Sequence, residues 1–189
     1  MARARYNGAM LYTRRGDGGE TGTFGCDQKI SKSSPFAEAL GAVDEINSLL
    51  GLVKVKAATE PEIVKSLERA QQNLFIIQAE LAGAKQTIKA EALGALEKVI
   101  DEIERELPPI TSFFVAGGTE LATLLDYART VARQAERRAW LAEVEAKAVG
   151  GQSLGQFSLA YLNRLSSLLY ALARRANHKA DIKEQAPRY

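Results

Sequence analysis

The chain changes character at Pro35. Before it, the stretch YNGAMLYTRRGDGGETGTFGCDQKISKSSP is dense in Gly, Ser, Thr and charge and holds no sustained hydrophobic period. Such a stretch predicts a loop or an extended arm. After Pro35 apolar residues recur at spacings of three and four, the period of a helix with one buried face. A first helix is predicted from about Pro35 to Lys56, with Ser33 or Ser34 as N-cap and Phe36, Leu40, Val43, Ile46, Leu50 and Val53 inward. A second runs from about Thr59 to Ala82, where Thr59, Pro61 and Glu62 read as a capping-box start, and buries Ile63, Leu67, Ala70, Leu74, Ile77 and Leu81. A third, from about Lys89 to Glu106, carries Leu93, Leu96, Ile100 and Ile103 and is stopped by Pro108 and Pro109.

The fourth predicted helix is the longest, from about Thr119 to Lys147. Thr119 can cap it, Gly150 and Gly151 end it, and its inward stripe of Leu121, Leu125, Ala128, Ala132, Ala135, Ala139 and Ala142 is mostly alanine. The fifth, about Ser153 to Lys179, turns Leu154, Phe157, Tyr161, Leu165, Leu168, Leu172 and Ala176 inward. Short connections favour antiparallel neighbours, so the expected fold is all-α: a five-helix bundle behind an N-terminal Gly-rich extended arm. The 189 residues suit one domain, with residues 1–33 as the arm and 34–180 as the bundle.

Composition narrows the function by exclusion. The net charge of +2 does not mark a nucleic-acid protein. One Cys, Cys26, and one His, His178, exclude an internal disulfide and a Cys/His zinc site, which needs roughly three or four such ligands. Neither residue has a partner in the sequence that suggests a role. The N-terminus has arginines but no apolar run behind them, so no secretory signal is expected. No stretch approaches the ~20 apolar residues of a membrane span. The reading is a cytoplasmic protein without a membrane partner.

Candidate chemistry lies on polar rows beside the apolar stripes. Arg129, Arg133 and Glu136 share one narrow face of the fourth helix, with Arg137 on its edge. Guanidinium groups half-shielded by packing suit phosphate through bidentate, charge-assisted hydrogen bonds. Spacing alone favours the plainer alternative, a solvated face with Glu–Arg pairs. On the fifth helix Asn163, Ser166, Ser167, Tyr170, Arg174 and Asn177 form a second row, which either faces water or lines a cleft; residue type alone favours water. On the first helix, Gly41, Asp44, Ser48 and Gly51 make a face small enough to admit another chain, with Asp44 either exposed or paired across an interface. TRRGDGGETG in the arm can converge backbone N–H groups on an anion, helped by Thr13, Thr21 and Lys32. It is neither a Walker loop nor a dinucleotide fingerprint. In FFVAGGT, Phe113 is either a core anchor or an aromatic wall for a flat ligand.

Four segments in order, YTRRGDGGETGTFG, ALGAVDEINSLLG, FFVAGGTELATLLDYARTVARQAERR and LNRLSSLLYALARRAN, resemble the PduO-type ATP:cob(I)alamin adenosyltransferases from Tyr12 to Asn177. The resemblance implies a homotrimer of five-helix bundles with active sites between subunits. It implies transfer of the 5′-deoxyadenosyl group of ATP to the cobalt of cob(I)alamin, giving adenosylcobalamin and triphosphate. Thr13, Gly16, Asp17, Gly19, Thr21 and Lys32 of the arm would contact the nucleotide, with Arg129, Glu136, Arg137 and Asn163 around it and Mg²⁺ on the ATP phosphates. Asp44 would pair with Arg133 across the subunit boundary, and Phe113 would wall the corrin. A reductase and an adenosylcobalamin-dependent enzyme are the further partners it implies. The sequence departs from the family pattern at Phe36 and Gln134, where Arg is usual, and at Ala116, where Pro is usual. Rival readings are a cobalamin carrier that makes no product, and a scaffold whose Arg row only joins subunits.

Overall fold

The computed structural model of the chain describes residues 12, 14, 16–22, 29–151 and 153–188. Among them are five helices, α1 (Pro35–Lys56), α2 (Pro61–Leu81), α3 (Ala90–Glu106), α4 (Glu120–Ala148) and α5 (Gln156–Lys179). The arm departs from a plain loop. Its strands β1 (Glu20–Gly22) and β2 (Lys29–Ser31) pair antiparallel, with Thr21 opposite Ile30. Three-residue strands are too short for an alternating pattern to register in sequence.

Local chemistry sets the helix ends. Ser34 caps α1 by accepting from Ala37 N at 3.3 Å, and Thr119 caps α4 by accepting from Ala122 N at 3.0 Å. The capping box expected at Thr59 does not form. Glu60 is the N-cap of α2 and makes no side-chain cap bond, while Pro61 opens the helix. Proline removes one of the free N–H donors that a cap would otherwise serve. The fifth helix begins at Gln156 rather than Ser153, because carboxylates from other helices take the preceding amides. Glu143 accepts from Leu154 N at 2.7 Å, and Glu80 accepts from Gly155 N.

The alanine stripe explains the layering. Ala128, Ala132, Ala135, Ala139 and Ala142 are fully buried, and α4 packs closely on both α1 and α5. Ion pairs Arg138–Glu38 and Lys56–Glu120 run α1 antiparallel to α4. The α2 helix covers α1, and α3 covers α5. One continuous apolar core runs through all five helices, with Ile46, Leu50, Leu67, Leu74, Ile103, Leu125, Leu162 and Leu165 fully or almost fully buried. Phe36 packs half-buried against this core. No helix among the described residues is long and apolar enough to cross a membrane.

Candidate active site

A cavity of about 840 Å³ opens between the first half of α4, the second half of α5, the α3–α4 connection and the segment after α5. Its two sides differ. Arg129 and Arg133 form a cationic wall from α4, while Ile110, Phe113, Val115 and Ile182 form an apolar rim. Phe113 is 84% exposed, so it is not the core anchor that one reading allowed. Its neighbour Phe114 is half-buried under the Arg174 guanidinium, 5.5 Å from the ring centroid. The two rings therefore do different work.

The glycine turn before α4 fixes this rim. Gly117 and Gly118 have φ of 138° and 109°, in the region that favours glycine. A Cβ on Gly118 would lie 2.2 Å from Asn177 Oδ1. Asn177 clamps the turn, donating to Gly117 O at 2.8 Å and accepting from Thr119 N at 2.9 Å. The rim thus has a fixed relation to the helix that bears the arginines.

Arg129, about 30% exposed, pairs with Asp126 at 3.1 Å and lies 5.9 Å from the Tyr170 ring centroid. Burial pushes the Tyr170 phenol above its usual range, so it stays neutral. Arg133 is exposed at the cavity wall and has no ion pair with a described residue. Arg137 donates to Arg133 O at 3.1 Å, which holds it along the same helix. Glu136 accepts from Asn163 Nδ2 at 2.9 Å, joining two of the expected nucleotide residues.

The cavity therefore gathers Arg129, Arg133 and Phe113, with the Glu136–Asn163 pair bonded between the same two helices. It does not gather the arm. None of the described arm residues lines it. Gly16 and Lys32 instead meet each other, since a Cβ on Gly16 would sit 3.1 Å from Lys32 Nζ, and Lys32 N donates to Gly19 O at 2.9 Å. Gly19 has φ 82°, Asp17 is exposed, and Thr21 lies in β1. Thr13 lies outside the described residues. Asp44 is exposed on α1, accepts from Gln78 Nε2 at 3.3 Å, and makes no bond to the Arg133 of its own chain.

The water-facing reading of the α5 row is overturned. Ser166, Ser167, Tyr170, Arg174 and Asn177 line the cavity, and Ser166, Arg174 and Asn177 are buried. Sequence reasoning left Tyr170, Arg174 and Asn177 between water and a cleft, and gave Asp126 on α4 no role. The signal was the length of the polar row on a helix whose other face is apolar. Residues Ile182 to Gln185 were missed altogether, and nothing in their pattern points to the cavity. Ala116 lines the cavity where the family pattern has Pro, and Gln134 is half-buried on α4. Among the described residues, no group of three His, Cys, Asp or Glu is placed to hold a metal ion.

The site is thus a cavity in an antiparallel helical bundle, cationic on one wall and apolar on its rim. Residues 11–176 match the cobalamin adenosyltransferase family, and the chain belongs to it. It is 40% identical over 190 residues to the corrinoid adenosyltransferase PduO of Citrobacter freundii, covering 95% of this chain and 54% of that protein. The chain thus spans about half the length of that relative and of the similar PduO of Salmonella typhimurium. It is 33% identical over 179 residues to the corrinoid adenosyltransferase of Bacillus subtilis, covering 91% of this chain and 89% of that one. A solved PduO-type ATP:corrinoid adenosyltransferase from Lactobacillus reuteri, a phenylalanine-to-histidine variant complexed with cobalamin and ATP, superposes with a TM-score of 0.83. It has 31% identity, and the match covers 95% of this chain and 97% of that one.

Proposed function

We propose that this chain transfers the 5′-deoxyadenosyl group of ATP to the cobalt of cob(I)alamin, giving adenosylcobalamin and triphosphate. One observation carries the reading: a single cavity joins the Arg129–Arg133 wall, whose guanidinium groups suit a triphosphate, to the apolar Phe113 rim, which suits the face of a flat ring. The likeness to a protein solved with cobalamin and ATP supports the same assignment.

The chemistry asks for orientation and charge rather than proton transfer. The reduced cobalt is the nucleophile and attacks the ribose 5′ carbon, and triphosphate leaves with the bonding pair. Arg129 and Arg137 would bind the leaving group, where a guanidinium is worth most as charge develops. Glu136 and Asn163, locked to each other, would hold the nucleoside end so that the 5′ carbon lies in line with the metal. Phe113 would fill the space on the lower corrin face and keep a lower ligand, or water in its place, off the cobalt. Mg²⁺ suits this set because it binds phosphate oxygens with only one or two carboxylates, and Asp126 and Glu136 both lie on the arginine face. When bound it supplies positive charge to the triphosphate.

The active unit in this reading is a homotrimer, within a single domain of arm and bundle. Leu52 and Val55 of α1, and Tyr127, Leu141 and Val144 of α4, leave large apolar surface exposed. A contiguous exposed apolar patch marks an interaction face, and these side chains are the ones this reading gives to the contact between subunits. Asp44 on α1 would then meet the Arg133 of a neighbouring subunit, and Thr13, Gly16, Asp17, Gly19, Thr21 and Lys32 of one arm would reach the nucleotide in the cavity of the next. An anaerobic assay with ATP, Mg²⁺ and chemically reduced cobalamin tests the function. Formation of adenosylated product, read by its absorption spectrum, is the expected result. Corrin binding without product would favour a carrier, and no nucleotide binding would favour a scaffold.

A further inference from the structure

After α5 the chain turns back onto its own helix. Asp181, at φ 54°, adopts the left-handed conformation that Asp tolerates better than most residues. Ile182 N then donates to Asn177 O at 3.0 Å. Two residues on, Glu184 meets Arg174 in a two-point ion pair, with Nε to Oε1 at 2.5 Å and Nη2 to Oε2 at 2.8 Å. Arg174 is only 6% exposed, and the same guanidinium donates to Pro108 O at 2.9 Å and covers the Phe114 ring. The hydrogen bond to Glu184 holds the Arg174 guanidinium pKa above its usual range. Gln185 O finally accepts from Val115 N at 2.8 Å, joining the tail to the loop that carries Phe113.

Arg174 thus touches the α3–α4 connection and the C-terminal tail at once, and both are lips of the cavity. A buried guanidinium is costly unless it is fully paired. Here that pairing comes from a tail glutamate ten residues away in sequence, not from a neighbouring helix. The core does not need this arrangement, since no described residue from Ile182 onward belongs to it.

We infer that Arg174 and Glu184 form a clasp that holds the tail against the Phe113-bearing loop, and that this clasp sets how tightly the cavity retains the corrin. Arg174 and Glu184 are positioning residues: they act through Phe113, Val115 and Ile182, which form the rim. The inference rests on the proposed function only in taking the occupant of the rim to be a corrin.

The test compares wild type with Glu184→Ala and Glu184→Asp, the second keeping the charge on a shorter arm. Glu184→Ala is expected to raise KM for cob(I)alamin by about tenfold while KM for ATP stays within about twofold. Glu184→Asp should recover part of the loss. Equilibrium binding of cob(II)alamin, followed by its absorption spectrum, should weaken in parallel; the melting temperature should fall with Glu184→Ala, which leaves Arg174 without its carboxylate, and recover in part with Glu184→Asp. Unchanged corrin affinity would overturn the clasp. So would equal losses for ATP and corrin, because that is the mark of general loosening. If wild type binds cob(II)alamin but forms no product, the transfer reading fails, and the clasp stands or falls on the ratio of corrin affinities. If wild type binds no corrin, both fail.

Discussion

The two ends of the α4–α5 pair use charge differently. At the end where the helices are joined, the carboxylates are spent on the chain itself. Glu80, 5% exposed, accepts from Gly155 N and from Ser158 Oγ at 2.5 Å. Glu143 accepts from Leu154 N and pairs with Lys147 at 3.0 Å. Burial works to raise the Glu143 carboxyl, but the Leu154 N–H and the Lys147 and Ser153 bonds together hold it below its usual range. At the other end Arg129 and Arg133 line a cavity, and Arg133 has no ion pair with a described residue. Charge whose hydrogen bonds are used up internally stabilises the fold. Charge left facing a cavity is available to a ligand. The same pair of helices carries both, about half its length apart.

The sharpest way to break this comparison is at the cavity end. Arg129→Ala should lower kcat/KM for ATP by roughly 100-fold, or about 3 kcal/mol, and Arg129→Lys should not restore it because the planar fork is lost. A change below about twofold would make Arg129 a solvated charge like any other. Asp44→Asn follows. Loss of one partner of a shielded ion pair predicts roughly 30-fold lower activity, near 2 kcal/mol, with weakened assembly. A wild type that is monomeric by light scattering at micromolar concentration would remove the basis for that pair.

At the joining end the effect should fall on stability. Glu80→Ala leaves the Gly155 amide and the Ser158 hydroxyl without their acceptor, at a cost of about 2 kcal/mol in chemical denaturation. KM for ATP should not move. Phe113→Ala returns to the rim: turnover from cob(II)alamin with a mild reductant should drop about tenfold, turnover from pre-reduced cob(I)alamin much less. The melting temperature should hold, since the ring is exposed. Equal loss by both routes would remove the wall role, and Phe114→Ala, which uncovers Arg174, is the adjacent control. The smallest effect is a pH dependence. A carboxyl with a lowered folded-state pKa contributes stability above its unfolded value and loses it as pH falls through the folded one. Wild type should therefore lose stability in acid below the ordinary carboxylate range more steeply than Glu143→Gln, as followed by urea titration.

The helices were legible because each buries one stripe, and the alanines of α4 marked the helix that others approach most closely. The arginine row was legible as well, since i, i+4 and i+7 spacing fixes a shared face without knowledge of the neighbours. The strands of the arm were not, being too short to carry a period. The α5 row pointed toward water on residue type alone. Its burial depends on the loop and the tail that fold over Arg174 and Asn177. Glu80 was equally hidden: its partner Gly155 lies 75 positions along the chain, and a lone glutamate on a helix gives no sign of such a reach.

The contrast between the two ends is tested most directly by one paired experiment. Wild type, Arg129→Ala and Glu80→Ala are mixed anaerobically with ATP, Mg²⁺ and chemically reduced cobalamin, at a temperature where all three remain folded. Product is read by its spectrum and stability by melting on the same samples. The account predicts that wild type and Glu80→Ala form adenosylcobalamin at similar rates while Arg129→Ala forms it roughly 100-fold more slowly, and that only Glu80→Ala melts lower. Product from Arg129→Ala at the wild-type rate, or none from wild type, would contradict it.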